Sequence, residues 1–129
     1  MALVLDTRFL IAYTFPPSSS DRDALRVFLR RLLREKAVIP SIVLAEYLRV
    51  AGRRLGIDAA LLRATQFQDL FTVHPIGARE AVEAGKLLAR YNVPVADALI
   101  AAVAKALHAR IVSNDKHFEL MGLETLWYK

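Results

Sequence analysis

The sequence predicts an α/β domain, built on a central, mainly parallel sheet of about five strands flanked by helices. Three observations carry this. Short apolar runs alternate with longer helix-like segments along the whole chain, the pattern of a parallel sheet with crossover helices. Two of those runs, Ala2-Leu3-Val4-Leu5 and Ala37-Val38-Ile39-Pro40, are apolar without alternation, as expected of strands covered on both faces. No internal repeat, low-complexity segment or linker divides the 129 residues, so a single domain over 1–129, long enough to bury a core, is expected.

Taken in order, the first strand ends at Asp6-Thr7, and a short helix over residues 8–15 is stopped by Pro16-Pro17. Ser18-Ser19-Ser20 reads as a loop. Ser20 with Asp23 matches a capping box, opening a helix with apolar Leu25, Phe28, Leu29, Leu32 and Leu33. That stripe suits core packing or a partner surface equally well. After the second strand, Ser41 is a natural N-cap for a helix over 42–54, with Glu46 in its second turn. Gly56-Ile57 breaks that helix, and Asp58 caps another to about residue 70. A third strand is predicted over 71–76 and a helix over 77–91. Pro94 disfavours helix at Val93 and is tolerated in a first turn, so the next helix opens near Val95 and runs to Leu107-His108. From Ala96 to Leu107 its only charged residues are Asp97 and Lys105, which predicts burial. Arg110-Ile111-Val112 leads a fourth strand towards Asp115, Lys116-His117-Phe118 forms a short helix, and Thr125 to Tyr128 a last strand.

In parallel α/β sheets, sites form outside the carboxyl ends of the strands. Asp6 follows the first strand, Glu46 lies in the helix after the second, and Asp115 follows the fourth. A 12-residue helix rises about 18 Å, and about five strand residues recover most of that distance. Asp97, at the start of its helix, should therefore return to the height of Asp115, leaving His108 at the far end. Four carboxylates converge on one sheet edge.

Crowded carboxylates repel unless a cation neutralises them or some become protonated. With no cysteine and no convincing histidine pair, an oxygen-only set suits Mg²⁺ or Mn²⁺ rather than zinc. The net charge of +5 and pI near 9.9 fit a polyanionic partner, and a carboxylate-held metal in a basic protein suggests phosphate chemistry. Arg8, Arg49, Arg53 and Lys116 are candidates to hold phosphates; Thr7, Ser113 and Asn114 adjoin the acids and are candidates to orient water or metal ligands. Each acid also has an ordinary structural role open to it. Asp6 and Asp115 can cap helices, Glu46 can pair with Arg49 or Arg53, and Asp97 suits the positive end of a helix. His117 reads as a surface histidine near the site, His74 and His108 as structural, and Trp127 and Tyr128 as core or interface residues. No apolar run approaches the roughly 18 residues of a membrane span. The amino terminus lacks a basic leader and meets Asp6 at once, so a cytoplasmic protein is expected.

The motifs resemble those of PIN-domain ribonucleases, specifically VapC-type toxins of toxin–antitoxin pairs. The matching pieces are Leu5-Asp6-Thr7, Leu44-Ala45-Glu46, the run from Val95-Ala96-Asp97 to Ala102, and Ser113-Asn114-Asp115-Lys116-His117-Phe118, in the family's order across nearly the whole chain. The resemblance implies a Mg²⁺- or Mn²⁺-dependent endoribonuclease in which Asp6, Glu46, Asp97 and Asp115 bind the metal. Ser113 falls where the family commonly has a small hydroxyl residue. It further implies RNA as substrate, a homodimer, and inhibition by a VapB-type antitoxin that inserts a peptide near the site. The helix over 21–36 is a candidate dimer or antitoxin surface. The alternative is a catalytically inactive PIN-like module that binds nucleic acid or protein without cutting. A receiver domain is disfavoured because Asp6 stands alone after the first strand. A haloacid-dehalogenase-like phosphatase is disfavoured by Arg8, where a second acid would be needed.

Overall fold

The computed structural model describes residues 2–129. Five strands, β1 (Ala2–Leu5), β2 (Lys36–Pro40), β3 (Thr72–His74), β4 (Arg110–Val112) and β5 (Thr125–Leu126), form one sheet in the order β3-β2-β1-β4-β5. Every pairing is parallel, with Val4 opposite Val38 on one side and Ile111 on the other. Seven helices connect or follow the strands: α1 (Thr7–Thr14), α2 (Ser19–Arg34), α3 (Ser41–Leu55), α4 (Ile57–Leu70), α5 (Ala78–Arg90), α6 (Val95–Leu107) and α7 (Lys116–Leu120). Successive strand side chains point to opposite faces. Leu3, Val4 and Leu5 are nonetheless all fully buried, so helices cover both faces of the central strand.

The alanine-rich α6 lies against β1 and β4, with Ala98 and every residue from Ile100 to Ala104 buried. Small side chains let its backbone approach the sheet closely, which draws Asp97 towards the strand ends. The helix ends at His108 in the left-handed region, φ 51°, a conformation that histidine tolerates better than most residues. Its N–H bonds the carbonyl of Lys105.

Several element boundaries move for local chemical reasons. The capping residue of α2 is Ser18, not Ser20: its Oγ accepts from Asp21 N at 3.0 Å and donates to Asp21 Oδ2 at 2.6 Å. Ser18 and Ser20 each have an acid three residues on, Asp21 and Asp23, and the reciprocal bonds form at Ser18. Ser41 is inside α3 rather than capping it; its Oγ accepts from Ile76 N at 3.1 Å and ties the β3 exit to α3. Asp58 is likewise inside α4, whose cap position is Gly56 with φ 86°. The third strand keeps only Thr72–His74, and β5 ends at Leu126, because each borders the sheet and pairs on one side alone. On α2 the core takes Leu25, Phe28 and Leu32, whereas Val27 and Leu33 stay exposed. Among the described residues, no single helix is long and apolar enough to cross a membrane.

Candidate functional site

All four predicted acids line one open groove of about 800 Å³ at the carboxyl end of the sheet. Asp6 arrives at the end of β1, and its backbone N–H still bonds the Val112 carbonyl of β4 at 3.3 Å. Its side chain is 3% exposed. Oδ1 accepts from Thr7 N at 2.8 Å and Oδ2 from Ser113 Oγ at 2.6 Å. Ser113 accepts in turn from Asp115 N at 3.0 Å. One hydroxyl thus fixes the acid after β1 to the acid after β4. Thr7 Oγ1 donates to Glu46 Oε1 at 2.6 Å, so α1 holds the carboxylate presented by α3.

The ordinary roles and the clustering coexist. Asp6 and Asp115 do cap α1 and α7, and both also line the groove. Glu46 pairs with neither Arg49 nor Arg53 among the described residues; Thr7 is its partner. The basic candidates divide. Arg8 and Arg49 line the groove. Arg8 also donates from Nη1 to Asn114 Oδ1 at 3.1 Å, and its Nη2 lies 3.4 Å from Asp115 Oδ2. Arg53 and Lys116 are exposed and do not line it. Arg53 lies two helical turns beyond Glu46, about 10 Å along the axis. Lys116 turns outward because the next residue on α7, His117, takes the groove side.

His117 is the residue the sequence reading undervalued. Its Nδ1 lies 2.7 Å from Asp97 Oδ2 and 3.3 Å from Asp115 Oδ1, and its backbone N–H donates to Asp115 Oδ1 at 3.0 Å. The available signal was its spacing, two residues after a helix-capping acid, which places the ring over the cap.

Burial pushes the Asp6 carboxyl up to about 6 despite its two hydrogen bonds, and the charges of Asp97 and Glu46 push the same way. Burial also raises Asp97 above the usual carboxylate range, with His117 opposing and Asp115 adding to it. These acids are short of positive charge. One ligand atom from each of Asp97, Asp115 and His117 falls within 4.8 Å of the others. Hard oxygen donors, crowded and under-neutralised, fit a divalent cation.

The far wall of the groove is made by Ile11, Phe15, Val50 and the segment Trp127-Tyr128-Lys129. The placement of Trp127 and Tyr128 follows from Asp21 at the start of α2. Tyr128 OH donates to Asp21 Oδ1 at 2.6 Å, and Lys129 Nζ lies 3.2 Å from the same oxygen. Bonds from Ser18, Tyr128 and Lys129 lower the Asp21 carboxyl to about 2. A depressed acid contributes stability above its unfolded value of 3.8 and loses it as pH falls through the folded one. Acidification from about pH 4 to about pH 2 should therefore release the segment. The sole tryptophan, Trp127, reports it directly: its emission should shift over that range, whereas Asp21→Asn should already show the released emission at pH 7. An identical, pH-independent spectrum in both proteins would count against the tether.

Fold and site together define a parallel α/β domain whose acids gather outside the carboxyl ends of its central strands. The model of the PIN domain family matches residues 3–122, and the chain belongs to that family. Comparison with curated proteins yields no match. Among solved structures, the chain resembles VapBC2 from Rickettsia felis, bound to a DNA fragment from the promoter. Identity is 21%, 98% of each chain is covered and the TM-score is 0.81. DNA-bound VapBC from Salmonella typhimurium matches at 20% identity over 100% of this chain and 99% of that one, TM-score 0.80. VapC20 from Mycobacterium tuberculosis, described as a sarcin–ricin-loop-cleaving toxin, matches at 21% identity over 94% and 95%, TM-score 0.74. At these identities the likeness is one of fold.

Proposed function

We propose that the chain is a metal-dependent endoribonuclease, the toxin of a VapBC-type pair. It would act in the cytoplasm as a homodimer and be restrained by a VapB-type antitoxin. The observation that carries the reading is the meeting of Asp6, Glu46, Asp97 and Asp115 in one groove flanked by exposed Arg8 and Arg49. Membership of the PIN family supports nuclease chemistry. Likeness to VapBC complexes and to VapC20, a sarcin–ricin-loop-cleaving toxin, supports the toxin role and the antitoxin partner.

Asp6, Asp97 and Asp115, with Glu46 beside them, would hold Mg²⁺ or Mn²⁺. Such an ion, when bound, neutralises charge at the phosphate and lowers the pKa of a coordinated water. Ser113 orients Asp6, and Thr7 keeps Glu46 turned into the groove. Arg8 and Arg49 supply the positive potential that draws a phosphodiester strand to the acids. Because Arg8 also braces Asp115 and Asn114, substrate phosphate competes with those contacts for its guanidinium.

The test is incubation of the purified protein with a panel of structured and unstructured RNAs. Cleavage in Mn²⁺ or Mg²⁺ that stops in chelator and returns on adding metal is the expected result. Cleavage that persists in chelator overturns the metal requirement. Binding of RNA or of a partner without cleavage of any RNA would favour the inactive-module reading.

A further inference from the structure

We infer that His117 is a direct ligand of the divalent cation, and that its nitrogen biases the site towards Mn²⁺ over Mg²⁺. The inference rests on the reading of the groove as a metal site and names a ligand outside the four acids.

Geometry carries it. Ligands in adjacent positions around an octahedral ion at 2.0–2.1 Å are separated by about 2.9 Å. His117 Nδ1 lies 2.7 Å from Asp97 Oδ2 and 3.3 Å from Asp115 Oδ1, so the two separations bracket that value. The three side chains come from two elements whose positions are independently fixed. Asp97 sits in the first turn of the buried α6. Asp115 is held by its own N–H to Ser113 and by capping α7. That cap also fixes the backbone of His117, which leaves only its ring torsions free. The ring is 41% exposed, so the Nε2 side can reach water while Nδ1 faces the acids.

His117 Nδ1 stands between the two carboxylates, where a cation would neutralise them. Ligation uses the Nδ1 lone pair and leaves the ring proton on Nε2, on the exposed side of the ring. Imidazole nitrogen favours transition-metal ions over Mg²⁺, which prefers oxygen and keeps its waters. A site that adds one imidazole to the carboxylates should therefore hold Mn²⁺ more tightly, whereas the four acids alone would discriminate little.

The experiment uses the full chain without RNA. Mn²⁺ and Mg²⁺ affinities are measured by calorimetry for the wild type, His117→Ala and His117→Gln, and bound Mn²⁺ is examined by pulsed electron paramagnetic resonance. The wild type should show imidazole ¹⁴N coupling to Mn²⁺, absent from both variants. Mn²⁺ affinity should fall at least about tenfold in His117→Ala, with a smaller change for Mg²⁺. His117→Gln, which offers an oxygen in the same region, should recover part of the affinity without the preference for Mn²⁺. Thermal melts verify that the variants are folded. Mn²⁺ bound by the wild type with no nitrogen coupling, or an unchanged Mn²⁺/Mg²⁺ ratio in folded His117→Ala, overturns the inference and leaves the metal site standing. A wild type that binds neither ion overturns both.

Discussion

On the proposed function, Asp97→Asn should lower metal-dependent RNA cleavage by about a thousandfold or more while leaving the protein folded. Loss of a partner outside a metal's direct ligands typically costs 10–100-fold, and loss of a ligand costs more. Asparagine has the same shape as aspartate and keeps one oxygen that can receive a bond from His117, so the contact between α6 and α7 survives. What disappears is the charge. Burial already disfavours that charge in the wild type, so the melting temperature without metal should hold or rise. Initial rates at saturating Mn²⁺, set beside a thermal melt of the same preparation, separate chemistry from folding. Wild-type rates in the folded variant would remove Asp97 from the mechanism.

The second large effect is on stability, and its sign is unusual for an acid. Asp6 has an ordinary value of 3.8 and a folded value of about 6. Between those values the native state binds more protons than the unfolded chain, so stability falls as pH rises from about 4 to about 6. The displacement corresponds to about 3 kcal/mol at neutral pH. Asp6→Asn removes the penalty but cannot accept two bonds, since its amide nitrogen must face Thr7 N or Ser113 Oγ. A net gain of about 1–3 kcal/mol at pH 7 is expected, a few degrees or more in melting temperature, with no gain at pH 4. Activity should be lost in the same variant. Saturating Mn²⁺ should narrow the stability difference by stabilising the wild type. A variant no more stable than wild type at pH 7, or equally stabilised at pH 4, would show that Asp6 carries no such strain.

The convergence of the four acids was largely readable from the chain because they lie where parallel-strand topology must bring them. Continuous apolar runs identified β1 and β2, and the length of α6 against the return to β4 placed Asp97 level with Asp115. What escaped depended on competition between nearly equivalent local choices. Three consecutive serines left the cap of α2 open, and only the bond pair between Ser18 and Asp21 decides it. Ser41 looked like a cap, but a strand exit distant in sequence claims its hydroxyl. His117 was read as a surface residue because its role needs the α6 and β4 ends to be docked first. Tyr128 depends on Asp21, on the opposite side of the sequence. Arg53 and Lys116 lie outside the groove for the converse reason: sharing a neighbourhood in sequence did not bring their side chains to its lining.

The Ser113 hydroxyl bond to Asp6 joins residues 107 positions apart. Contacts of such separation form slowly, because chain closure costs entropy before the pairing repays it, and parallel sheets contain little else. The contiguous α6–β4–α7 stretch carries Asp97 and Asp115, but Asp6 and Glu46 come from β1 and α3, distant in sequence, and no local unit carries all four acids. Assembly of the four-acid groove is thus coupled to completion of the sheet. A partly folded chain, whether newly made or transiently opened, lacks the complete four-acid groove, so on the proposed function the delay before activity should track the folding rate of the β1–β4 pairing.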